Sequence, residues 1–557
     1  MSAQAGWFGP SDRPLLGWIS EPAGDGGGGG ASGVVICPPL GYTLLTAHRT
    51  LRVLAERLGA AGHRVLRFDY DGTGDSAGHG WDPGRLEAWR RSVAAAGELL
   101  RSGGCSQLTL VGARLGANLA LLEAQGLGAE AIVAWQPVAA GRRYAKELRM
   151  LGIAIPEEHD RGQGPAVSFA GEVVTAETMA ALGALPAPEL AAGTRVLIVD
   201  DRPDALAGVL REQGAEVDVA AAAGSERALQ TSAERAEVPE AVVGAMADWI
   251  GEAVSGGGRH AGGAVAGGSA ERPRRARLDQ DGRAIEEEVV ALGAGSLAAV
   301  LTEPARGADG DADAATLLLL NSGLEPHFGP GRAWVELARA LAARGHRTVR
   351  MDFRGWGESP DDGLLPVYPY DESCVDDLRD AITALHADGH RHVVPMGLCS
   401  SAYIVLQAAV DAPTSAAIAL NPQMYWQPGQ PRLLNYDENA DYRAEERERL
   451  AEGQRTGRWD ELDRAGDRDF TGRWLDTLAD GRTPITLLYA EGDEGLFHLR
   501  TRHDLHLTRI LDAAGPIELV EIPDIDHSMH RLWRRPDVLE AIDHILTRAA
   551  SAQRARA

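Results

Sequence analysis

Three side chains in the later half of the chain have the types and order needed for nucleophilic acyl chemistry: Cys399, Asp493 and His527. Cys399 lies in Pro395-Met-Gly-Leu-Cys-Ser-Ser-Ala-Tyr403, between an apolar strand candidate (His392–Met396) and a helix-like run (Ala402–Val410). A strand, a turn of small residues and a helix form the elbow that exposes a nucleophile on a sharp turn, usually Gly-x-Ser-x-Gly. Here the elbow reads Gly397-Leu398-Cys399-Ser400-Ser401, with cysteine as nucleophile and Ser401 where the last glycine usually stands. Two further apolar runs, Ile485–Ala490 and Ile517–Ile522, read as strands whose C-terminal ends release polar loops carrying Asp493 and His527. Such loops converge at the C-terminal edge of a parallel sheet, where ligands bind. The reading is Cys399 as nucleophile, His527 as its base and Asp493 as the group that orients His527; His530 is the alternative base. The plain alternative for Cys399 is a small buried residue, which the order of acid and histidine downstream disfavours.

A thiol attacks as thiolate, a form favoured beside a histidine or a helix N-terminus. The expected oxyanion hole combines the backbone N–H of Ser400 with one from the loop after Asn321, at Gly323 or Leu324. Glu325, His327 and Arg332 in the same loop are candidate substrate contacts, with solvated loop charges as the alternative. Asp352 and Arg354 are expected to cap a strand end and hold the following turn, and Tyr403 to pack its helix. Attack by Cys399 would leave an acyl thioester, activated toward water, amines, alcohols and thiols. The expected function is a cysteine-dependent acyl hydrolase or acyltransferase acting on an ester or thioester, including carrier-protein- or coenzyme A-linked acyl groups. The rival reading is a non-catalytic scaffold that binds an acyl ligand or a partner protein.

The elements that must position these groups require more than one core, since 557 residues exceed the roughly 150 of an ordinary domain. Hydrophobic and charged contents of 44% and 24% are those of a globular protein. A formal net charge of −25 argues against nucleic acid or an anionic membrane as the main partner. Lys146 is the sole lysine, so the many arginines reflect residue usage and not a nucleic-acid surface. Cys37, Cys105, Cys374 and Cys399 are too scattered for a disulfide framework or a zinc set, and no cofactor motif or metal site is read. Met1–Pro10 lacks the basic and apolar regions of a signal peptide, and no apolar run is long enough to span a bilayer. The expected location is a reducing cytoplasm. The expected partner is a small-molecule acyl substrate, or such a group on an acyl carrier protein, and no oligomeric state is read.

The chain repeats itself. Gly62-His-Arg-Val-Leu-Arg-Phe-Asp-Tyr-Asp-Gly-Thr-Gly-Asp-Ser76 returns as Gly345-His-Arg-Thr-Val-Arg-Met-Asp-Phe-Arg-Gly-Trp-Gly-Glu-Ser359. Leu108–Gly116 matches Val393–Ser401, and Ala134-Trp-Gln-Pro137 matches Ala419-Leu-Asn-Pro422, all at an offset of about 284 residues. The expected domains are 1–251 and 277–557, joined by a Gly/Ala/Arg-rich linker at 252–276. Strands alternating with helical stretches imply a mostly parallel, doubly wound α/β sheet in each. The copies are chemically unequal. In the first, the elbow is Gly112-Ala113-Arg114-Leu115-Gly116, and no histidine follows Asp201 before His260. A guanidinium cannot attack a carbonyl. Arg114 is read first as a structural group paired with Asp200, Asp201 or Asp71, and second as a receptor for a carboxylate or phosphate.

These elbows, the two Gly-x-Gly-x-Ser turns and the order nucleophile, acid, histidine resemble the α/β-hydrolase superfamily arranged in tandem. Cys37-Pro-Pro-Leu-Gly-Tyr42 and Phe68-Asp-Tyr-Asp-Gly-Thr-Gly-Asp-Ser76 resemble the serine aminopeptidase-like and exosortase-associated hydrolase branches. The cysteine at the second elbow resembles dienelactone hydrolase-type enzymes, which implies a Cys-His-Asp triad of Cys399, His527 and Asp493. The resemblance also implies a helical lid at about 423–483, containing Met424, Tyr425, Trp426 and Trp459. Tyr425 and Trp426 are candidates for an acyl pocket, as against a small core of the lid itself. The first copy is implied to be a degenerate, non-catalytic domain.

Overall fold

The inner strands of the first sheet are built largely from apolar residues that face alternately up and down. Val34 and Ile36 join one buried cluster with Leu51, Leu54 and Leu58 of the helix Tyr42–Ala60 and with Val243 and Met246 of Glu240–Gly256. Val35 and Cys37 join another, with Trp89 and Val93 of Arg85–Ser102 and with Leu119 and Ala120 of Leu115–Leu127. Helices therefore cover both faces, which explains why these strands read as continuous apolar runs. In the computed structural model, the residues described are 3–22, 32–256, 272–294, 297–305, 314–360, 369–424, 470–513 and 515–554.

Edge to edge, the first sheet runs Gln4–Phe8, Leu15–Ser20, Arg64–Phe68, Ser32–Cys37, Gln107–Ala113, Ala131–Trp135, Arg195–Val199 and Glu216–Ala220. The first two strands pair antiparallel, as do Leu15–Ser20 and Arg64–Phe68, and the remaining pairs are parallel. The second sheet runs Arg275–Gln280, Arg283–Leu292, Leu297–Pro304, Arg347–Met351, Thr316–Leu320, Val393–Leu398, Ala417–Leu420, Ile485–Ala490 and Ile517–Ile522. From Arg347–Met351 onward its pairs are parallel. The fold is thus α/β with two tandem, mostly parallel sheets.

In both sheets the chain leaves one strand, adds its neighbour on one side, then returns to add the next on the other. That reversal opens a crevice at the C-terminal ends of the two strands flanking it. In the first sheet these strands are Ser32–Cys37 and Gln107–Ala113; in the second they are Thr316–Leu320 and Val393–Leu398. Arg114 and Cys399 follow directly at the two switch points.

The chain divides into two compact units. The first comprises Met1–Asp279, Glu286–Val289 and Pro330–Val335, and the second Gln280–Ile285, Val290–Gly329 and Glu336–Ala557. The helix Glu240–Gly256 continues past residue 251, the strand Arg275–Gln280 begins before 277, and linker residues 257–271 lie outside the described residues. Of the expected lid, 425–469 also lies outside them, including Tyr425, Trp426 and Trp459. Its final helix, Phe470–Ala479, packs Trp474 edge-on against Tyr403 at 5.0 Å, and Tyr403 in turn meets Tyr370 at 5.4 Å. Tyr403 therefore packs its helix, as its place one turn past the elbow suggested. No described helix is long and apolar enough to cross a membrane.

Candidate active site

The second elbow is sharp because nothing between strand and helix has room for bulk. A Cβ on Gly397 would lie 2.3 Å from the backbone carbon and oxygen of Ser401. Ser401 fits in place of glycine by folding its hydroxyl back on the strand. Its Oγ accepts from the Leu398 N–H at 2.9 Å and donates to the Leu398 carbonyl at 3.0 Å. The turn forces Cys399 to φ 55°, ψ −111°, a conformation rare for a residue with a side chain. Cys37, Cys105 and Cys374 are buried, whereas Cys399 is partly exposed at the start of the helix Ser400–Ala408.

Asp493 caps the helix Glu494–Asp512 and divides its two oxygens between two tasks. Oδ1 accepts from the Gly495 N–H at 2.8 Å, and Oδ2 lies 2.6 Å from His527 Nδ1. The Asp493 side chain is 2% exposed and that of His527 35%, so the carboxylate is dry while the imidazole reaches the crevice. Burial disfavours the imidazolium of His527, but the neighbouring Cys399 side chain and the Asp493 carboxylate outweigh it. They raise the proton affinity of His527 well above that of a free histidine. The structure thus brings Cys399, His527 and Asp493 together. The alternative base, His530, lies 3.5 Å from Asp526, and burial lowers its proton affinity.

The loop after Thr316–Leu320 forms a tight turn closed by the Glu325 N–H on the Ser322 carbonyl, with Gly323 and Leu324 at φ 57° and 64°. Two successive left-handed residues mark a primed turn, in which Leu324 is a strained choice. The Gly323 N–H donates to Ser400 Oγ at 3.2 Å. The N–H groups of Leu324 and Ser400 have no acceptor among the described residues. Beneath the turn, buried Asp352 accepts from Asn321 Nδ2 at 3.1 Å, the His327 N–H at 2.7 Å and the Glu358 N–H at 2.9 Å. Arg354 bonds Asp377 at 2.7 Å, so both residues hold the turns that follow their strand.

The structure gives two of the expected substrate contacts other work. His327 is 2% exposed, with Nδ1 2.6 Å from Asp352 Oδ2, so its ring ties down the loop. Arg332 is buried within the first unit, donating from Nε to the Gly74 carbonyl at 2.7 Å, and from Nη1 and Nη2 to those of Gly78 and Ser76. A buried guanidinium needs several acceptors, and three convergent turn carbonyls supply them. Glu325 stays half-buried at the turn, while Tyr425 and Trp426 lie outside the described residues.

Asn421 was missed. Fully buried at φ 48°, it donates from Nδ2 to the His527 carbonyl at 2.8 Å and accepts from the Ala490 N–H at 2.7 Å. It thereby joins the ends of two strands, Ala417–Leu420 and Ile485–Ala490, to the histidine loop. The signal was available in the repeat, where Asn421-Pro422 answers Gln136-Pro137.

The first sheet repeats the elbow without the chemistry. Arg114 adopts φ 53°, ψ −125° before the helix Leu115–Leu127. The expected ion pairs do not form: Asp71 is taken by Arg13 and Arg85, each at 2.6 Å, Asp200 by the Arg202 N–H and Asp201 by the Ala222 N–H. Arg114 instead donates weakly from Nη1 to the Gln136 carbonyl at 3.4 Å.

A doubly wound sheet with an elbow and an acid–histidine pair at its switch point defines the α/β-hydrolase class. Residues 317–542, which span the core of this second sheet, match the alpha/beta hydrolase family. Among solved structures, Est1E from Butyrivibrio proteoclasticus with bound ferulic acid is 14% identical, with 45% of this chain and 99% of that one covered and a TM-score of 0.35. A putative dienelactone hydrolase from Klebsiella pneumoniae subsp. pneumoniae MGH 78578 is 15% identical over 47% and 98%, at 0.31. A proline iminopeptidase from Mycobacterium smegmatis is 16% identical over 48% and 99%, at 0.33. No curated protein matches the chain.

Proposed function

We propose that the chain is a cysteine-dependent acyl hydrolase or acyltransferase acting on an ester or thioester. The observation that carries this reading is the partly exposed sulfur at a strained elbow beside an imidazole whose far nitrogen meets a buried carboxylate. His527 takes the thiol proton as Cys399 Sγ attacks the acyl carbonyl, and Asp493 holds the ring and steadies the imidazolium. The carbonyl oxygen becomes an oxyanion received by the N–H groups of Ser400 and Leu324, that of Gly323 being engaged by Ser400 Oγ. Collapse breaks the bond to the alcohol or thiol, which leaves with the proton from His527, and an acyl thioester remains on Cys399. Water or an acceptor, deprotonated by His527, then attacks the thioester and releases the thiol. On this reading the domain at 1–251 is non-catalytic, and the thiol stays reduced in the cytoplasm.

The test is to incubate the protein with p-nitrophenyl butyrate and with butyryl-coenzyme A and weigh it intact. A butyryl adduct on the wild type and none on Cys399→Ala is the expected result. Adduct-free turnover that survives Cys399→Ala refutes the mechanism. Turnover of the thioester in preference to the aryl ester, raised by an added amine or alcohol, distinguishes transfer from hydrolysis.

A further inference from the structure

The first sheet places at its elbow a cation, Arg114, that forms no ion pair among the described residues. Arg114 has nearly the backbone angles of Cys399, φ 53° and ψ −125° against 55° and −111°, so its side chain leaves the switch point in the nucleophile's direction. Crevices at this position are where open α/β sheets bind ligands. The guanidinium is half-buried and offers five donors in a planar fork, yet one long bond to the Gln136 carbonyl is its only recorded partner among the described residues. Asp71, Asp200 and Asp201 are engaged by other donors.

The surroundings narrow the ligand. The stretch between Ala131–Trp135 and Arg195–Val199 contributes the helix Gly141–Leu151 and a three-stranded antiparallel sheet of Ile153–Ala154, Ala166–Phe169 and Glu172–Thr175. Phe169 from that sheet lies against the loop after Ser32–Cys37, where a Cβ on Gly41 would be 3.0 Å from its ring. Tyr144, from the helix, packs with Phe169 on the same apolar cluster as Leu40 and Leu115. Burial pushes the Tyr144 phenol up to about 12, against the nearby charge of Arg114, so it remains a hydroxyl donor at neutral pH. A single guanidinium neutralises one negative charge and not two, which disfavours a dianion.

We propose that the switch-point crevice of the first sheet binds a small monocarboxylate with an apolar body, its carboxylate on the guanidinium of Arg114. A planar fork receives a carboxylate through two parallel hydrogen bonds, and Phe169 and Tyr144 supply the apolar wall. The test titrates the full-length protein with benzoate, benzamide and phenyl phosphate by calorimetry, then repeats the titrations with Arg114→Met. Saturable benzoate binding is expected, with benzamide and phenyl phosphate weaker and the Arg114→Met isotherm weakened at least about tenfold. No saturation by benzoate, an isotherm unchanged by Arg114→Met, or equal binding of phenyl phosphate overturns the proposal. A second measurement uses the unaltered protein, in case the variant misfolds. Phenylglyoxal should label Arg114, as mapped by mass, and benzoate should suppress that labelling; labelling indifferent to benzoate refutes the site.

Discussion

Replacing Asp493 with asparagine tests the orientation of the base more sharply than removing the base itself. The carboxylate serves two donors from two oxygens, the Gly495 N–H at 2.8 Å and His527 Nδ1 at 2.6 Å, and at 2% exposure no water can stand in for either. An amide has one oxygen. If that oxygen keeps the helix cap, the amide N–H₂ faces Nδ1 and drives the imidazole proton to the nitrogen that faces Cys399, where it blocks proton acceptance. If the amide turns over, the ring keeps its tautomer but the Gly495 N–H meets a donor in a buried place, at a cost of about 1–3 kcal/mol. The first arrangement retains the cap, itself worth about 1 kcal/mol, so it should prevail. The expected loss is about 10³–10⁴-fold in acylation rate, or roughly 4–5.5 kcal/mol of barrier. Urea stability should fall by no more than about 2 kcal/mol. The assay is the time course of butyryl adduct on Cys399 by intact mass, beside urea unfolding. Acylation within about tenfold of wild type, still dependent on Cys399, would refute the orienting role.

Asn421→Ala removes both the acceptor of the Ala490 N–H and the donor to the His527 carbonyl. We expect a loss of about 2–3 kcal/mol in urea unfolding and of about 10–100-fold in acylation rate. An unchanged rate would show that the histidine loop stands without it. Gly397→Ala sets a methyl 2.3 Å from the Ser401 backbone, which cannot rotate away. Its cost should exceed about 2 kcal/mol, and a wild-type urea midpoint would contradict the close approach. Because the proton affinity of His527 is raised in the folded state, its ion pairing contributes fully below the unfolded value of about 6.5 and is lost as pH rises through the elevated folded value. His527→Gln should therefore lower the urea midpoint more at pH 6 than at the alkaline end of the folded range; an equal loss at both would refute the coupling.

Much of this architecture was readable because a doubly wound sheet writes itself as apolar runs ending in polar loops. The elbow, the acid loop and the histidine loop each lie at a strand end, so chain order alone brought Cys399, Asp493 and His527 to one rim. What sequence could not supply was direction. His327 and Arg332 lie in a loop near the rim, and nothing in their spacing says that one turns under the loop to Asp352 and the other into a ring of carbonyls. Arg114 failed for the converse reason. A half-buried cation was expected to find a carboxylate, but Arg13 and Arg85, distant in sequence, had already claimed Asp71.

The two elbows together separate what the fold requires from what the chemistry requires. Backbone strain at an active site, of about 1–3 kcal/mol, is commonly read as a device of catalysis. Here the same strain persists at Arg114, which cannot act as a nucleophile. Its source is therefore the packing of strand against helix. A Cβ on Gly112 would lie 2.4 Å from the Gly116 carbonyl, and one on Gly116 would lie 2.3 Å from that of Cys37. The tip residue is carried into the crevice whatever its side chain, so the fold leaves its identity free. The base is different, because its loop is not carried by that packing. After Glu216–Ala220 the first chain segment delivers Ser225, fully buried and accepting from the Trp135 indole N–H at 2.8 Å, where the second segment releases His527. A thiol placed at position 114 would thus stand at a well-formed elbow where the described residues after Glu216–Ala220 offer Ser225 and no imidazole to take its proton.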